Sequence, residues 1–212
     1  MPDSDGAQHA DTHDRATATS LDARLDARTR YQLSAAVSCL RAGGVIAHPT
    51  EGVWGLACVA SSEGAIEQIL TSKRRSWRKG LILVSNTPQQ FAPLLAQLPD
   101  VIRDQVLGSW PGPKTWLVPH AHRVSPWISG DSSRVALRVT AHRQFAALCH
   151  GVGTALVSTS ANRAGAQPLS SARAARRVFG GEIDFVLDGE LGGATGPSAI
   201  VDALSGAQLR AG

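Results

Sequence analysis

Aromatic side chains are scarce in this sequence, with one tyrosine, four phenylalanines and five tryptophans in 212 residues, so its core must be mainly aliphatic. Cysteine is scarcer still. Cys39, Cys58 and Cys149 are widely spaced, odd in number and form no CxxC pair, which excludes a disulfide framework and a cysteine-ligated zinc site and fits a reducing compartment. No apolar run approaches the roughly 20 residues of a membrane span. The N-terminus has no basic stretch leading into an apolar one, and its repeated Asp residues argue against a mitochondrial presequence; cytoplasmic residence is expected. Neither the Walker A pattern nor GxGxxG occurs, so any nucleotide site must be of another design. Charge of one sign is not in great excess either: 21 Lys and Arg against 17 Asp and Glu give a formal +4, which permits a nucleic-acid partner without requiring one.

What is present is a globular composition, 43% hydrophobic and 18% charged, over a length suited to one domain with a substantial core. Residues 1–28, rich in Asp, Ala, Thr, Arg and His, show no sustained apolar periodicity and read as a flexible tail. His9 and His13 on it read as solvated rather than metal-bound. The folded domain is assigned to 29–212. Leu33, Ala36, Val37 and Leu40 form a helical stripe that Gly43-Gly44 ends. The apolar patterning predicts strands near 45–47, 81–84, 116–118, 135–139, 154–157, 185–188, 199–202 and 208–210. Helices are predicted at 87–98, 101–107, 141–149 and 171–179. Strands alternating with helices indicate an α/β fold. The stretch 119–133 reads as a long surface loop, on which His120 and His122 lack a third metal ligand.

The densest feature is Lys73-Arg74-Arg75-Ser76-Trp77-Arg78-Lys79-Gly80, five cations within seven residues between a helical pattern (apolar at 65, 66, 69 and 70) and the strand at 81–84. Two unit charges about 6 Å apart repel by roughly 0.7 kcal/mol in water and more near protein, a cost that a bound anion relieves. Lys73 and Arg75, at a helix C-terminus, also complement the helix dipole without any ligand, but that leaves Arg78 and Lys79 unexplained. Three other stretches carry polar groups at strand ends, where ligands of α/β folds gather. His48 to Leu56 reads as a turn, with Thr50 either a hydroxyl for a substrate or a turn residue. Arg138 interrupts an apolar strand, so it meets either a protein carboxylate or the anionic group of a substrate. Ser158-Thr159-Ser160-Ala161-Asn162 offers a nest for phosphate oxygens or a nucleobase edge, or else a capped turn.

Taken together and in order, Pro49 to Leu56, Lys73 to Leu81, Trp110 to Thr115, Val135 to His142, Ser158 to Gly165 and Pro197 to Asp202 match the motifs PTET-V-Y-G-L, KxRPxxKxL, WPGPxT, VAxRVxxH, STSANxxG and PSxIVD. From about residue 30 to its C-terminus the chain resembles the YrdC/Sua5/TsaC family of threonylcarbamoyl-AMP synthases. The resemblance implies a single α/β domain, with a twisted mixed sheet and surrounding helices about a positive concave cavity, related to the DHBP synthase fold. It further implies conversion of L-threonine, bicarbonate and ATP into threonylcarbamoyl-AMP and pyrophosphate, for N6-threonylcarbamoylation of adenosine in tRNAs reading ANN codons. Mg2+ would accompany ATP, with no metal ligand expected from the protein itself.

Carried over residue by residue, Lys73, Arg75 and Lys79 would lie along the triphosphate and act in catalysis. Arg134, Ser158, Ser160, Asn162 and Arg210 would contact the nucleotide. Thr50, Arg138 and Ser198 would hold threonine. The resemblance is to the short, TsaC-like form, which relies on partner proteins of the threonylcarbamoyl-transfer machinery and acts on behalf of tRNA. Alternatives are a non-catalytic module binding double-stranded RNA or maturing ribosomes through the same cavity, and a carbamoyl-adenylate-forming or hydrolysing relative. The chain departs from the family pattern at Gly52, where the second Thr of PTET is missing, at Ser76 in place of Pro, and at Val84, where some relatives place a His.

Overall fold

The computed structural model describes residues 26–212. Most of the stretch read as a tail, with His9 and His13, lies outside the described residues. Helix α1 (Ala27–Arg41) is capped by Asp26, whose carboxylate accepts the Thr29 N–H at 2.9 Å and the Thr29 hydroxyl at 2.7 Å. Helical structure therefore begins two residues before position 29.

The strands of the described residues are β1 (Ile46–Pro49), β2 (Trp54–Val59), β3 (Ile82–Ser85), β4 (Lys114–Pro119), β5 (Arg134–Val139), β6 (Leu156–Ser160), β7 (Phe185–Val186), β8 (Ala199–Asp202) and β9 (Gln208–Arg210). They form one mixed sheet in the order β7-β1-β2-β6-β3-β5-β4-β8-β9. β1 with β7, β3 with β5 and β4 with β8 run parallel, and the remaining neighbours antiparallel. β2 is a strand where the sequence reading saw only a turn. Its residues Leu56, Ala57 and Cys58 are fully buried on both faces, so they lack the polar alternation that marks a half-exposed strand. Thr50 closes the β1–β2 hairpin by donating both its N–H (3.1 Å) and its hydroxyl (2.7 Å) to the Val53 carbonyl.

Successive residues of a strand face opposite sides of a sheet, and two separate cores show the division. Val45, Ala47, Leu56, Cys58, Leu83, Leu137 and Val157 pack on one side, with α2 (Glu63–Lys73), α3 (Ala92–Leu95), α4 (Asp100–Gly108) and α7 (Ala172–Phe179). Ile46, Ala57, Val84 and Leu156 face the other side, beneath α1 and α6 (Arg143–Val152). The helices α1 and α6 cover only part of this second face. Beyond them the sheet is open, and the cavity lies there.

Three predicted elements shift. The helix expected over 87–98 is a 3-10 turn at Pro88–Phe91 followed by the four-residue α3. The loop read at 119–133 contains the short helix α5 (Pro126–Ser129), begun by Ser125, whose hydroxyl accepts the Trp127 N–H at 3.3 Å. α6 starts at Arg143 rather than 141, because Nδ1 of His142 caps it by accepting the Phe145 N–H at 3.3 Å.

Candidate active site

A cavity of about 360 Å3 opens on the uncovered sheet face. Ile82 and Val84 of β3, Ala136 and Arg138 of β5, and Ser158 and Ser160 of β6 line its floor. All six share the side of the sheet that, closer to α1 and α6, carries Ala57 and Leu156. Alternation thus sends Val135, Leu137 and Val139 into the core and Arg134, Ala136 and Arg138 to the cavity.

The five cations of the basic cluster part company. α2 ends at Arg74, which takes the left-handed conformation (φ 52°) and reverses the chain. Lys73 is buried and absent from the cavity wall: its ammonium donates to the carbonyl of Ser160, to that of Asn162 at 2.7 Å and to Asn162 Oδ1 at 3.4 Å. Burial, helped by the nearby Arg75 charge, brings its pKa down to about 8. Arg75 lines the cavity and donates to the Gly80 carbonyl at 3.0 Å. Arg78 turns outward to Asp131 at 2.9 Å, over the Trp77 ring. Lys79 stands exposed on the cavity rim. Of the trio assigned to the triphosphate, Arg75 and Lys79 face the cavity, whereas Lys73 braces the loop behind it.

Arg134 and Arg210 complete the basic wall. Arg134 pairs with the buried Asp202. Arg210 donates to the Ser198 carbonyl at 2.9 and 2.6 Å. Burial lowers the pKa of both Arg75 and Arg210, and Arg138 and Arg75 lower that of Arg210 further. Arg138, 6% exposed, lies 3.4 Å from Glu51, which is 7% exposed. Of the two alternatives for Arg138, the protein carboxylate is present, and the residue also lines the cavity. Glu51 Oε1 accepts the Thr140 hydroxyl at 2.8 Å and the Ala141 N–H at 3.0 Å. Burial pushes the Glu51 carboxyl up, but Arg138 and these hydrogen bonds outweigh it and hold the pKa below the ordinary carboxylate value.

Thr50, Ser158, Ser160 and Ser198 also line the cavity. Asn162 does not. Its Oδ1 accepts the Ser160 hydroxyl at 2.6 Å and its amide donates to the carbonyls of Arg163 (3.1 Å) and Ala166 (2.8 Å), so its polar atoms shape the loop. Ser158 approaches Nε2 of the buried His48 at 3.5 Å, and His48 Nδ1 faces the Pro49 carbonyl at 3.0 Å. Burial pushes the pKa of His48 down to about 3, which keeps the ring neutral. Burial likewise pushes the Cys58 thiol up to about 12 and raises that of Cys149, leaving both inert.

The departures from the family pattern have visible settings. A Cβ at Gly52 would lie 2.0 Å from the Gly196 carbonyl oxygen, because the glycine-rich loop 188–197 packs directly on the hairpin. Gly192 N–H to Thr50 O (3.0 Å) and Ala194 N–H to Glu51 O (2.9 Å) hold that loop down. Ser76 accepts the Arg78 N–H at 3.3 Å, starting the turn at Trp77–Lys79. Val84 is part of the apolar floor. Sequence reasoning missed the two countercharges, Glu51 and Asp202. Both lie inside quoted motifs, and an acidic residue within a motif that also supplies cations was the available signal.

The fold and site define an α/β protein with a concave cavity on one sheet face, walled by arginines and hydroxyls. The Sua5/YciO/YrdC family model, described as telomere recombination, matches residues 38–212, and the chain belongs to that family. Among curated relatives, the threonylcarbamoyl-AMP synthase of Hahella chejuensis is 48% identical over 175 residues, 82% of this chain and 95% of the relative. That of Pseudomonas aeruginosa PAO1 is 44% identical over 180 residues, 85% and 97% of the two. The crystal structure of P. abyssi Sua5 complexed with L-threonine superposes with a TM-score of 0.74 at 29% identity, covering 80% of this chain and 50% of that one; this chain spans about half of that protein's length. E. coli YciO, at 20% identity and a TM-score of 0.71 over 82% of this chain and 84% of its own, shares the fold.

Proposed function

We propose that the chain is a threonylcarbamoyl-AMP synthase, converting L-threonine, bicarbonate and ATP into threonylcarbamoyl-AMP, pyrophosphate and water for tRNA modification in the cytoplasm. The observation that carries this reading is the convergence of Arg75, Lys79, Arg134, Arg138 and Arg210 with Ser158, Ser160 and Ser198 on one cavity from five separate segments. The names of the relatives, and L-threonine in the P. abyssi structure, support L-threonine as a substrate.

The reaction brings anions together twice. The amine of threonine adds to the carbon of bicarbonate-derived CO2, giving a carbamate. A carbamate oxygen then attacks the α-phosphorus of ATP, and pyrophosphate leaves. Arg75 and Lys79, on the rim, would lie along the triphosphate and stabilise the charge that develops on the leaving group. Arg134 and Arg210 would hold the nucleotide with Ser158 and Ser160, while Arg138, Ser198 and Thr50 would hold threonine. Lys73 and Asn162 would act on the nucleotide through the loop they brace. Magnesium would arrive on the phosphates of ATP: among the described residues no group of three or more His, Cys, Asp or Glu could hold a metal, and the carboxylates of Glu51 and Asp202 are engaged by arginines. The product then passes to the transfer machinery that modifies tRNA.

The test is pyrophosphate release by the purified protein with Mg-ATP and bicarbonate. Release that depends on L-threonine is expected. No release above background, together with salt-sensitive binding of double-stranded RNA, would replace the enzyme with an RNA-binding module.

A further inference from the structure

The cations of the cavity fall into two electrostatic zones. Arg75, Lys79 and Arg210 form no ion pair among the described residues. Arg75 and Arg210 spend donors only on neutral groups, the Gly80 carbonyl and the carbonyl and hydroxyl of Ser198. This part of the wall is net positive and suits a polyanion. At the other zone Arg138 faces Glu51, and the pair carries no net charge. The carboxylate is locked in place through Oε1, by the Thr140 hydroxyl and the Ala141 N–H. Oε2 of Glu51 and Nε of Arg138 each lack a hydrogen-bond partner. Both atoms belong to residues that line the cavity, and Oε2 faces Nη1 of Arg138 at 3.4 Å, beyond hydrogen-bond strength. Thr50 adds to the acceptor side, because its only hydroxyl proton is committed to Val53 O at 2.7 Å.

We propose that Glu51 is a specificity-determining residue, whose carboxylate makes the Arg138 zone a site for an α-amino acid zwitterion and closes it to phosphate. The inference rests on the amino-acid reading given above and names the residue that keeps the two substrates apart. An ammonium and a carboxylate borne on one carbon satisfy Glu51 and Arg138 together. A phosphate satisfies Arg138 alone and sets its own charge against Glu51, a repulsion that excludes the wrong ligand rather than favouring the right one. Without it, a cavity lined by five cations would accept phosphate groups along its whole length, and nucleotide would occupy the place of threonine.

Calorimetric titration with L-threonine and with inorganic pyrophosphate tests this on the full chain and on Glu51→Gln, which keeps the shape and an acceptor for Thr140. In the wild-type protein, saturating pyrophosphate should leave the L-threonine Kd within about twofold. In Glu51→Gln, L-threonine affinity should fall by about tenfold or more, and pyrophosphate should now displace L-threonine. Displacement of L-threonine by pyrophosphate from the wild-type protein would overturn the zoning, whether or not the variant folds. So would a variant indistinguishable from wild type, or one that loses L-threonine without gaining competition by pyrophosphate, which would make Glu51 a structural support only. A wild-type protein that binds pyrophosphate but no L-threonine would overturn the amino-acid reading itself and this inference with it.

Discussion

The ammonium of Lys73 donates to the Asn162 carbonyl at 2.7 Å, joining the last residue of α2 to the loop after β6 across 89 positions of sequence. The same ammonium serves the Ser160 carbonyl, so a cation from the basic cluster is consumed in holding one wall of the cavity. This bond gives the first prediction. The folded pKa of Lys73, about 8, lies below the ordinary lysine value of 10.5, so the unfolded chain binds the proton more tightly. Stability should therefore rise with pH between about 8 and about 10.5, by on the order of 3 kcal/mol. Lys73→Met should lack this rise, as followed by urea denaturation at stepped pH. It should also weaken nucleotide binding, because two carbonyls lose their donor.

His48 titrates with the same sign at the other end of the scale. Its folded pKa of about 3 lies below 6.5, so the unfolded state takes up the proton first as pH falls. Stability present above pH 6.5 should be lost progressively toward pH 3, on the order of 4 to 5 kcal/mol in full. His48→Gln should be less stable at neutral pH, having lost the ring packed on Phe145 at 4.0 Å, but its stability should depend less on pH across that window.

Arg75→Ala and Lys79→Ala should each lower threonine-dependent pyrophosphate release by about a hundred- to a thousand-fold, the usual consequence of removing one preorganised charge. Lys79 is exposed, and thermal melting of Lys79→Ala should match wild type. Arg75→Ala should melt slightly lower, since it removes the bond to Gly80 O. Unchanged turnover in both would reduce the cluster to a solvated helix end.

Gly52→Thr restores the residue of the family motif and should nonetheless be harmful here. Its Cβ would press on the Gly196 carbonyl, and relieving that overlap should cost about 1 to 3 kcal/mol. The loop 188–197 should become more susceptible to proteolysis, read by the rate of nicking relative to wild type.

Much of this was legible beforehand because apolar runs and motif order are one-dimensional signals. The α/β class and most strands needed no coordinates, and of the eleven residues assigned to the site from the sequence nine line the cavity. What escaped was set by the third dimension. β2 was hidden because both its faces are buried, which erases alternation. Lys73 and Asn162 carry the right chemistry for an anion, but the left-handed turn at Arg74 and the satisfied amide of Asn162 direct them inward. The cluster looked like a single charge because spacing along the chain does not reveal that Arg78 leaves for Asp131.

The division of labour along β5 has a consequence for how such a protein can change. Because each strand deals its residues by turns to the packed interior and to the hollow, losing one residue ahead of Val135 would exchange the two hands. Arg138 would be driven among aliphatic side chains and Leu137 turned onto the floor. Point substitutions can therefore retune what the hollow accepts, whereas single-residue insertions or deletions in this strand should be lethal to fold and site at once.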